Sequence, residues 1–157
     1  MRQDLATIAP GVVVSTPGLA GYRQIVDNGT RGRFRARKRS WRKTHRGRPY
    51  FGGARYATAS PTSDAARFKL VVPTTGDYTV YARWTASRAN SSRVPIGVRT
   101  TAGISWRHVN QRRHGHGWRR IGTFQLPAGD AWSVLISRWT RAGGYVVADG
   151  VKIVAAP

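Results

Sequence analysis

The chain contains no cysteine and no glutamate, and its only carboxylate side chains are six aspartates among 157 residues. The absence of cysteine excludes disulfide bonds, thiolate catalysis and the cysteine-based zinc sites. No apolar run approaches the ~18 residues that a membrane-spanning helix needs, so we expect no insertion into a membrane. Residues 1–18 include Asp4 and lack a continuous apolar stretch, so they do not match a secretory signal peptide.

The shortage of carboxylates also limits the chemistry that the chain could perform. Glycoside hydrolysis usually requires two carboxylates at a set separation, whereas the six aspartates are scattered along the sequence. No serine lies in a G-x-S-x-G turn. The histidines at 108, 114 and 116 lie among arginines, whose charge would repel a divalent cation. The sequence therefore predicts a protein that is not an enzyme, holds no metal and uses no cofactor.

What the chain has in abundance is arginine. Lysine and arginine total 27, and the formal net charge is +21 at neutral pH. A charge of this size says little about the fold, but it favours association with anionic partners. The partner is therefore the main functional question that the composition raises.

Ten of these cations are concentrated between residues 31 and 48, where they form the candidate anion- or partner-binding set. They are Arg31, Arg33, Arg35, Arg37, Lys38, Arg39, Arg42, Lys43, Arg46 and Arg48. The first four alternate with small or apolar residues, and this alternation predicts four guanidinium groups on one face of a strand. Guanidinium pairs bidentately with carboxylate and phosphate, so we predict an anion-binding face here.

Apolar residues alternate with polar ones along most of the chain, as at 66–70, 78–84, 94–98 and 132–136. Clusters of Gly, Pro, Asn and Ser separate these stretches, and no segment shows a sustained helical pattern. This pattern predicts an all-β, two-sheet antiparallel β-sandwich of jelly-roll character with about eight to ten strands. Residues 1–20 are interpreted as an N-terminal arm or edge strand, and residues 21–157 as the β-sandwich domain.

The aromatic residues divide by their phase with these strands. Trp84 and Trp132 are in phase with apolar strand positions, so we predict that both are buried. Trp106, Trp139 and Tyr145 are less clearly patterned and are the candidate surface aromatics for contacting a glycan. The phase of the last strand predicts that the aspartate at 149 is buried and paired, with an arginine as one possible partner.

Several sequence blocks, in order along the chain, resemble one known family. They are IVDN at 25–28, Trp41, YFGG at 50–53, GDYTVYARW at 76–84, VPI at 94–96, VNQR at 109–112, WRRIGTF at 118–124, LPAG at 126–129 and VADGVK at 147–152. Together they resemble the golvesin C-terminal-like domain, a xanthan-lyase-type carbohydrate-binding-like domain, over residues 22–154. The resemblance implies a β-sandwich accessory module of extracellular enzymes or surface proteins, with no chemistry of its own. It supplies no ligand-binding residues to transfer.

Three functional hypotheses remain open at this point. The first is an accessory protein on the exterior of a virus particle, a capsid-decoration or tail-associated protein whose arginines dock on an acidic protein lattice within a larger assembly. The second is a secreted or cell-surface module that binds carbohydrate, with a polysaccharide as its partner. The third is a non-specific nucleic-acid-binding protein, since the charge alone predicts salt-sensitive binding to nucleic acid in vitro.

Overall fold

The computed structural model describes residues 19–157, which form strands, turns and one short 3₁₀ turn at Tyr50–Gly52. The strands of this part of the chain are β1 (Arg23–Asp27), β2 (Phe34–Arg35), β3 (Arg42–Thr44), β4 (Ala54–Thr58), β5 (Ala66–Val72), β6 (Gly76–Arg83), β7 (Val94–Thr100), β8 (Gly103–Val109), β9 (Arg119–Leu126), β10 (Gly129–Ile136), β11 (Tyr145–Ala148) and β12 (Gly150–Ala155). Within the described residues, no helix is long and apolar enough to cross a bilayer. The predicted arm at 1–20 lies almost wholly outside the described residues.

The strands form three antiparallel sheets. Sheet A has the order β1-β12-β6-β9, sheet B the order β2-β5-β10-β7-β8, and sheet C the order β11-β4-β3. The predicted all-β sandwich class is confirmed. Residues 19–157 contain twelve strands, more than the eight to ten predicted, and the small sheet C was not foreseen. Its strands are only three to five residues long, too short for an alternating pattern to be recognised in the sequence.

The core contains buried side chains from all three sheets, and the alternating pattern predicts those of the long strands well. Along β5 and β6, every second side chain is buried, including Phe68, Leu70, Tyr78 and Val80. Trp84 is also buried, as predicted, and its indole N–H donates to the carbonyl of Arg113 at 2.9 Å. A half-buried strand needs a repeat of two to present one face to the core, which is why this signal is reliable in the long strands.

The prediction that Trp132 is buried is wrong. Trp132 pairs with Lys69 of β5, but the next paired residue of β10 is Val134, opposite Phe68. One residue of β10, Ser133, is therefore extra, and a bulge of this kind shifts the phase of the side chains. Val134 faces the core, whereas the half-exposed Trp132 lies under the guanidinium of Arg35, 5.2 Å from its ring centroid.

The predicted strand carrying four arginines on one face is also wrong. Only Phe34–Arg35 is a strand, and turns lie on either side of it. Gly32 has a φ of +75°, and the Arg33 N–H donates to the carbonyl of Thr30, which closes the first turn. The alternating arginines therefore do not lie along one strand, because the chain forms a turn at Gly32.

Trp41 anchors this basic segment to the sandwich. Its side chain is fully buried in the core. The indole N–H donates to the carbonyl of Asp64 at 2.7 Å. The Asp64 carboxylate in turn pairs with Arg138 at 2.9 Å and with Arg37 at 3.6 Å. Burial alone would raise the pKa of Asp64, but hydrogen bonds from Ser40 and Arg138 outweigh it and hold this pKa below its ordinary value.

Asp149 is buried, as predicted. One carboxylate oxygen accepts the backbone N–H of Tyr50 at 2.9 Å, and the other has no hydrogen-bond partner among residues 19–157. The partner of the Asp149 carboxylate is thus the backbone N–H of Tyr50, in the 3₁₀ turn. Burial raises the pKa of Asp149 to about 6, against the opposing effects of the Tyr50 hydrogen bond and the charge of Arg83. The side chain is thereby a protonatable group in the physiological range.

We predict that Trp41→Ala lowers the free energy of unfolding by about 3–5 kcal/mol, because it removes a fully buried indole and leaves a cavity. Chemical denaturation monitored by circular dichroism measures this loss. Trp139→Ala is the matched control, since that indole is 60% exposed and its removal should change stability by no more than about 0.5 kcal/mol. Equal effects of the two substitutions would contradict the anchoring role of Trp41.

We also predict an effect of Asp149 on the pH dependence of stability. The raised pKa means that the folded protein holds this proton more tightly than the unfolded chain does. The stabilising contribution of protonated Asp149 is therefore complete at a pH below 3.8, the ordinary pKa of the group, and is lost as the pH rises through about 6. Between these two pH values the free energy of unfolding should fall by roughly 3 kcal/mol, the equivalent of the shift in the pKa of Asp149. Asp149→Asn should abolish this fall. Thermal unfolding of both proteins from acid to neutral pH tests it, and parallel curves would contradict it.

Candidate functional site

A cleft of about 870 Å³ lies between sheet C and the loop that follows β6. Three separate parts of the chain surround it: the β3 end with its following turn, the faces of β4 and β11, and the loop at 85–90. Its lining consists of Lys43, Thr44, His45, Arg46, Gly47, Tyr56, Thr85, Ala86, Ser87, Ala89, Asn90, Tyr145 and Val147. The size is within the range of ordinary ligand sites.

Two tyrosines supply the aromatic surface of the cleft. Tyr56 of β4 lies opposite Val147 in the pairing with β11, and Tyr145 lies two residues along β11 on the same face. The two rings pack edge to face, with centroids 5.5 Å apart and an interplanar angle of 88°. Tyr145 is 43% exposed, which confirms the prediction that it is a surface aromatic. An edge-to-face pair fixes both rings while leaving ring surface open to a ligand.

Buried amide side chains hold the cleft in shape. Gln111 accepts the N–H of Val147 at 2.7 Å and donates to its carbonyl at 2.9 Å, so it pairs with β11 as a strand would. Asn90 donates from its amide to the carbonyls of Thr85 and Gln111, at 2.8 and 3.2 Å. Because buried polar groups are costly unless they are satisfied, these contacts define one position for the 85–90 loop.

Close backbone contacts fix the same loop to β11. Gly144 has a φ of +79°, and a Cβ placed on it would lie 2.8 Å from the backbone of Asn90 and Ser91. The Tyr145 N–H donates to the carbonyl of Ala89 at 3.0 Å, and the Ser91 N–H donates to that of Tyr145 at 2.7 Å. The orientation of Tyr145 therefore depends on a glycine beside it.

The electrostatic character of the cleft is positive. Lys43, His45 and Arg46 belong to its lining, and none of the aspartates within residues 19–157 does. The His45 ring contacts the carbonyl of Gly52 through Nδ1 at 2.6 Å, which orients the turn that carries Arg46. The lining thus combines aromatic rings, hydroxyl and amide groups, and cationic side chains with no internal counter-ion. Such a site can pack against the apolar face of a ring-shaped polar ligand and pair with its acidic groups.

The structure distributes the predicted basic residues over several places. Lys43 and Arg46 line the cleft, whereas Arg35 and Arg37 line a second depression on sheet B. Arg33 pairs with Asp130 at 2.8 Å. The remaining predicted cations are exposed and line neither depression: Arg31, Lys38, Arg39, Arg42 and Arg48.

The three candidate aromatics are also separated. Trp106, Trp139 and Tyr145 are all exposed, as predicted, but only Tyr145 lines the cleft. Sequence reasoning missed Tyr56, Asn90 and Gln111. Tyr56 alone had a local signal, since an aromatic residue in a short apolar stretch is typical of a strand face. Gln111 had none, because its partner Val147 lies 36 residues away along the chain.

Comparison with known proteins agrees with this architecture. Residues 24–155 match the model of the golvesin C-terminal domain, so the chain belongs to that family. A xanthan lyase of Bacillus sp. (strain GL1) is 35% identical over 108 residues, which is 66% of this chain and 12% of that protein. The solved structure of a Paenibacillus xanthan lyase has a TM-score of 0.75 and 30% identity, covering 86% of this chain and 13% of that one. This chain therefore spans about an eighth of the length of these relatives.

A more distant likeness concerns the fold alone. The C-terminal CBM6 of LamC, a marine laminarinase from Zobellia galactanivorans, has a TM-score of 0.50 and 14% identity, covering 85% of this chain and 99% of that one. The β-sandwich class predicted from alternation is thus shared with a protein of very different sequence.

We predict that Gly144→Ala displaces the 89–91 loop, whereas Gly143→Ala does not. Both glycines have a positive φ, so both substitutions introduce similar backbone strain of about 1 kcal/mol. Only at Gly144 would the new Cβ meet backbone atoms, while at Gly143 nothing lies within 4 Å. Amide hydrogen exchange at residues 89–91 should accelerate in the first variant alone. Equal exchange in both variants would contradict the close-contact role of Gly144.

Proposed function

We propose that this golvesin C-terminal domain is a non-catalytic module that binds an acidic polysaccharide in the cleft of sheet C. Tyr145 and Tyr56 contact the sugar rings, while Lys43 and Arg46 pair with their acidic groups. The observation that carries this proposal is the composition of the cleft, where aromatic rings and cations meet without a carboxylate. Pairing with an external anion would compensate the charge that the lining leaves unbalanced.

The comparisons support a polysaccharide as the ligand. The relatives at 30% and 35% identity are both xanthan lyases, that is, enzymes named for action on a polysaccharide. This domain corresponds to about an eighth of their length, so their catalytic activity is not transferred to it. We therefore propose that the domain acts outside the cell, in agreement with the secreted or cell-surface hypothesis.

The cleft chemistry favours binding over hydrolysis. Glycosidases usually position two carboxylates on either side of the bond to be cleaved, and the described part of the chain, residues 19–157, contributes none to the lining of this cleft. Asp64 and Asp130 pair with arginines, and Asp149 is buried beneath the 3₁₀ turn. We therefore assign the cleft no catalytic step.

The other two hypotheses stay predictions without support from these observations. The virus-particle hypothesis was based on one continuous face of arginines, but turns divide that segment and its side chains point to separate surroundings. The nucleic-acid hypothesis rests on charge, and charge alone does not distinguish nucleic acid from other anions.

Isothermal titration with polygalacturonate, xanthan and an uncharged glucan tests the proposal. We expect wild type to bind an acidic polymer more tightly than the uncharged one, with weaker binding at high salt because the ions are screened. Tyr145→Ala should reduce cleft affinity by about tenfold or more, as expected when an aromatic contact at the centre of a site is lost.

Matched variants separate site effects from general ones. The double variant Lys43→Ser/Arg46→Ser should weaken binding to acidic polymers, whereas Arg23→Ser/Arg120→Ser removes equal charge from exposed positions outside the cleft and should matter much less. Trp139→Ala controls for Tyr145→Ala. If the two charge pairs weaken binding equally and Tyr145→Ala binds as wild type does, the cleft is not the binding site.

A further inference from the structure

A single row of directly paired residues crosses the whole of sheet B on its outer face. The register places Arg35 of β2 opposite Arg67 of β5, Arg67 opposite Leu135 of β10, Leu135 opposite Gly97 of β7, and Gly97 opposite Trp106 of β8. Four strand spacings make this row about 19 Å long. It therefore has two guanidinium groups at one end, an indole at the other, and an aliphatic side chain and a glycine between them.

Trp106 lies across the sheet at its end of the row. A Cβ added to Gly97 would come 2.9 Å from Cζ3 and 3.0 Å from Cη2 of the indole, so the six-membered ring covers the Gly97 Cα. The indole is 43% exposed even so, which leaves part of its surface to solvent. The ring is thus supported by the sheet on one side and accessible on the other. Gly97 is the residue that permits this position.

The arginine end of the row borders a depression of about 360 Å³. Its lining is Arg35, Ala36, Arg37, Ser63, Asp64, Ala65, Arg67, Trp106 and Leu135. The carboxylate of Asp64 in this lining already pairs with Arg37 and Arg138. Among residues 19–157, neither Arg35 nor Arg67 forms an ion pair, and Arg35 lies over the Trp132 ring. The depression shares no lining residue with the cleft.

We propose that this outer face of sheet B is a second binding site for an acidic polysaccharide, separate from the cleft. A sugar ring packs its apolar C–H face on the exposed surface of Trp106, and the chain runs over Leu135. An acidic group farther along the same chain pairs with Arg35 and Arg67. The ligand class follows the proposed function, whereas the site rests on its own geometry.

The lining favours a saccharide over a nucleic acid. Proteins that bind single strands use several aromatic side chains on which successive bases stack. Of the residues that the structure describes, Trp106 is the one aromatic in the lining of this depression. The neighbouring floor is aliphatic, from Leu135 and Ala36, and suits the C–H groups of a sugar better than the phosphate backbone.

Titration with a short oligogalacturonide counts the sites. We expect two sites in wild type, one in Trp106→Ala, one in Tyr145→Ala and none in the double variant. Gly97→Ala should act like Trp106→Ala, because its Cβ displaces the indole while leaving the ring in the protein. Displacing the free end of the exposed Trp106 side chain should cost little folding free energy. Near-ultraviolet circular dichroism and thermal unfolding should therefore show that Gly97→Ala keeps its fold. Trp139→Ala should retain both sites.

Each result has one meaning. If Trp106→Ala and Gly97→Ala both bind as wild type does, sheet B has no second site, and the cleft proposal stands as long as Tyr145→Ala loses binding. If Tyr145→Ala retains all binding while Trp106→Ala loses it, the cleft proposal fails and the sheet B site stands. Tighter binding of single-stranded oligothymidylate than of the oligogalacturonide, lost in Trp106→Ala, would overturn the saccharide assignment.

Discussion

With 27 lysine and arginine side chains and six aspartates, the chain cannot neutralise its cations by internal ion pairs. Within residues 19–157, the ion pairs engage Asp64 and Asp130 with three arginines. Other cations lie over aromatic rings, as Lys152 does over Tyr81 and Trp118. Cation–π contacts give each such charge a modest favourable interaction, but they leave the protein strongly positive. An anion from outside is the remaining way to compensate this charge, and both proposed sites provide for one.

The two sites combine charge with aromatic rings that the fold holds in place. In the cleft, Gln111 and Asn90 fix the loop that faces Tyr145, and Gly144 allows that loop to approach. On sheet B, Gly97 lets the Trp106 indole lie against the backbone. Rings carried on strands keep a defined position, so less conformational entropy is lost when a ligand binds.

Much of the site could not be predicted from the sequence. Tyr145 was identified as a surface aromatic because it falls outside the apolar alternation. The role of Gln111 could not be found in the same way, since its partner, Val147, lies 36 residues away and no local pattern links them. The basic segment was recognised as important, but its residues divide between two depressions, an ion pair and open solvent. Which cations share a site depends on where the turns place them.

The sequence by itself determined the class of fold, because apolar residues at every second position all lie on one face of a strand, and a sheet can bury that face. It also determined the excess of positive charge and the exposure of Trp106, Trp139 and Tyr145. The tertiary structure alone decided the position of Trp132, where one extra residue in β10 reverses the phase of the strand. It alone decided that Arg35 and Trp106 belong to one row, since that row is assembled by pairing among five strands. Bulges and strand pairing arise from contacts between distant segments, and a local pattern carries no information about them.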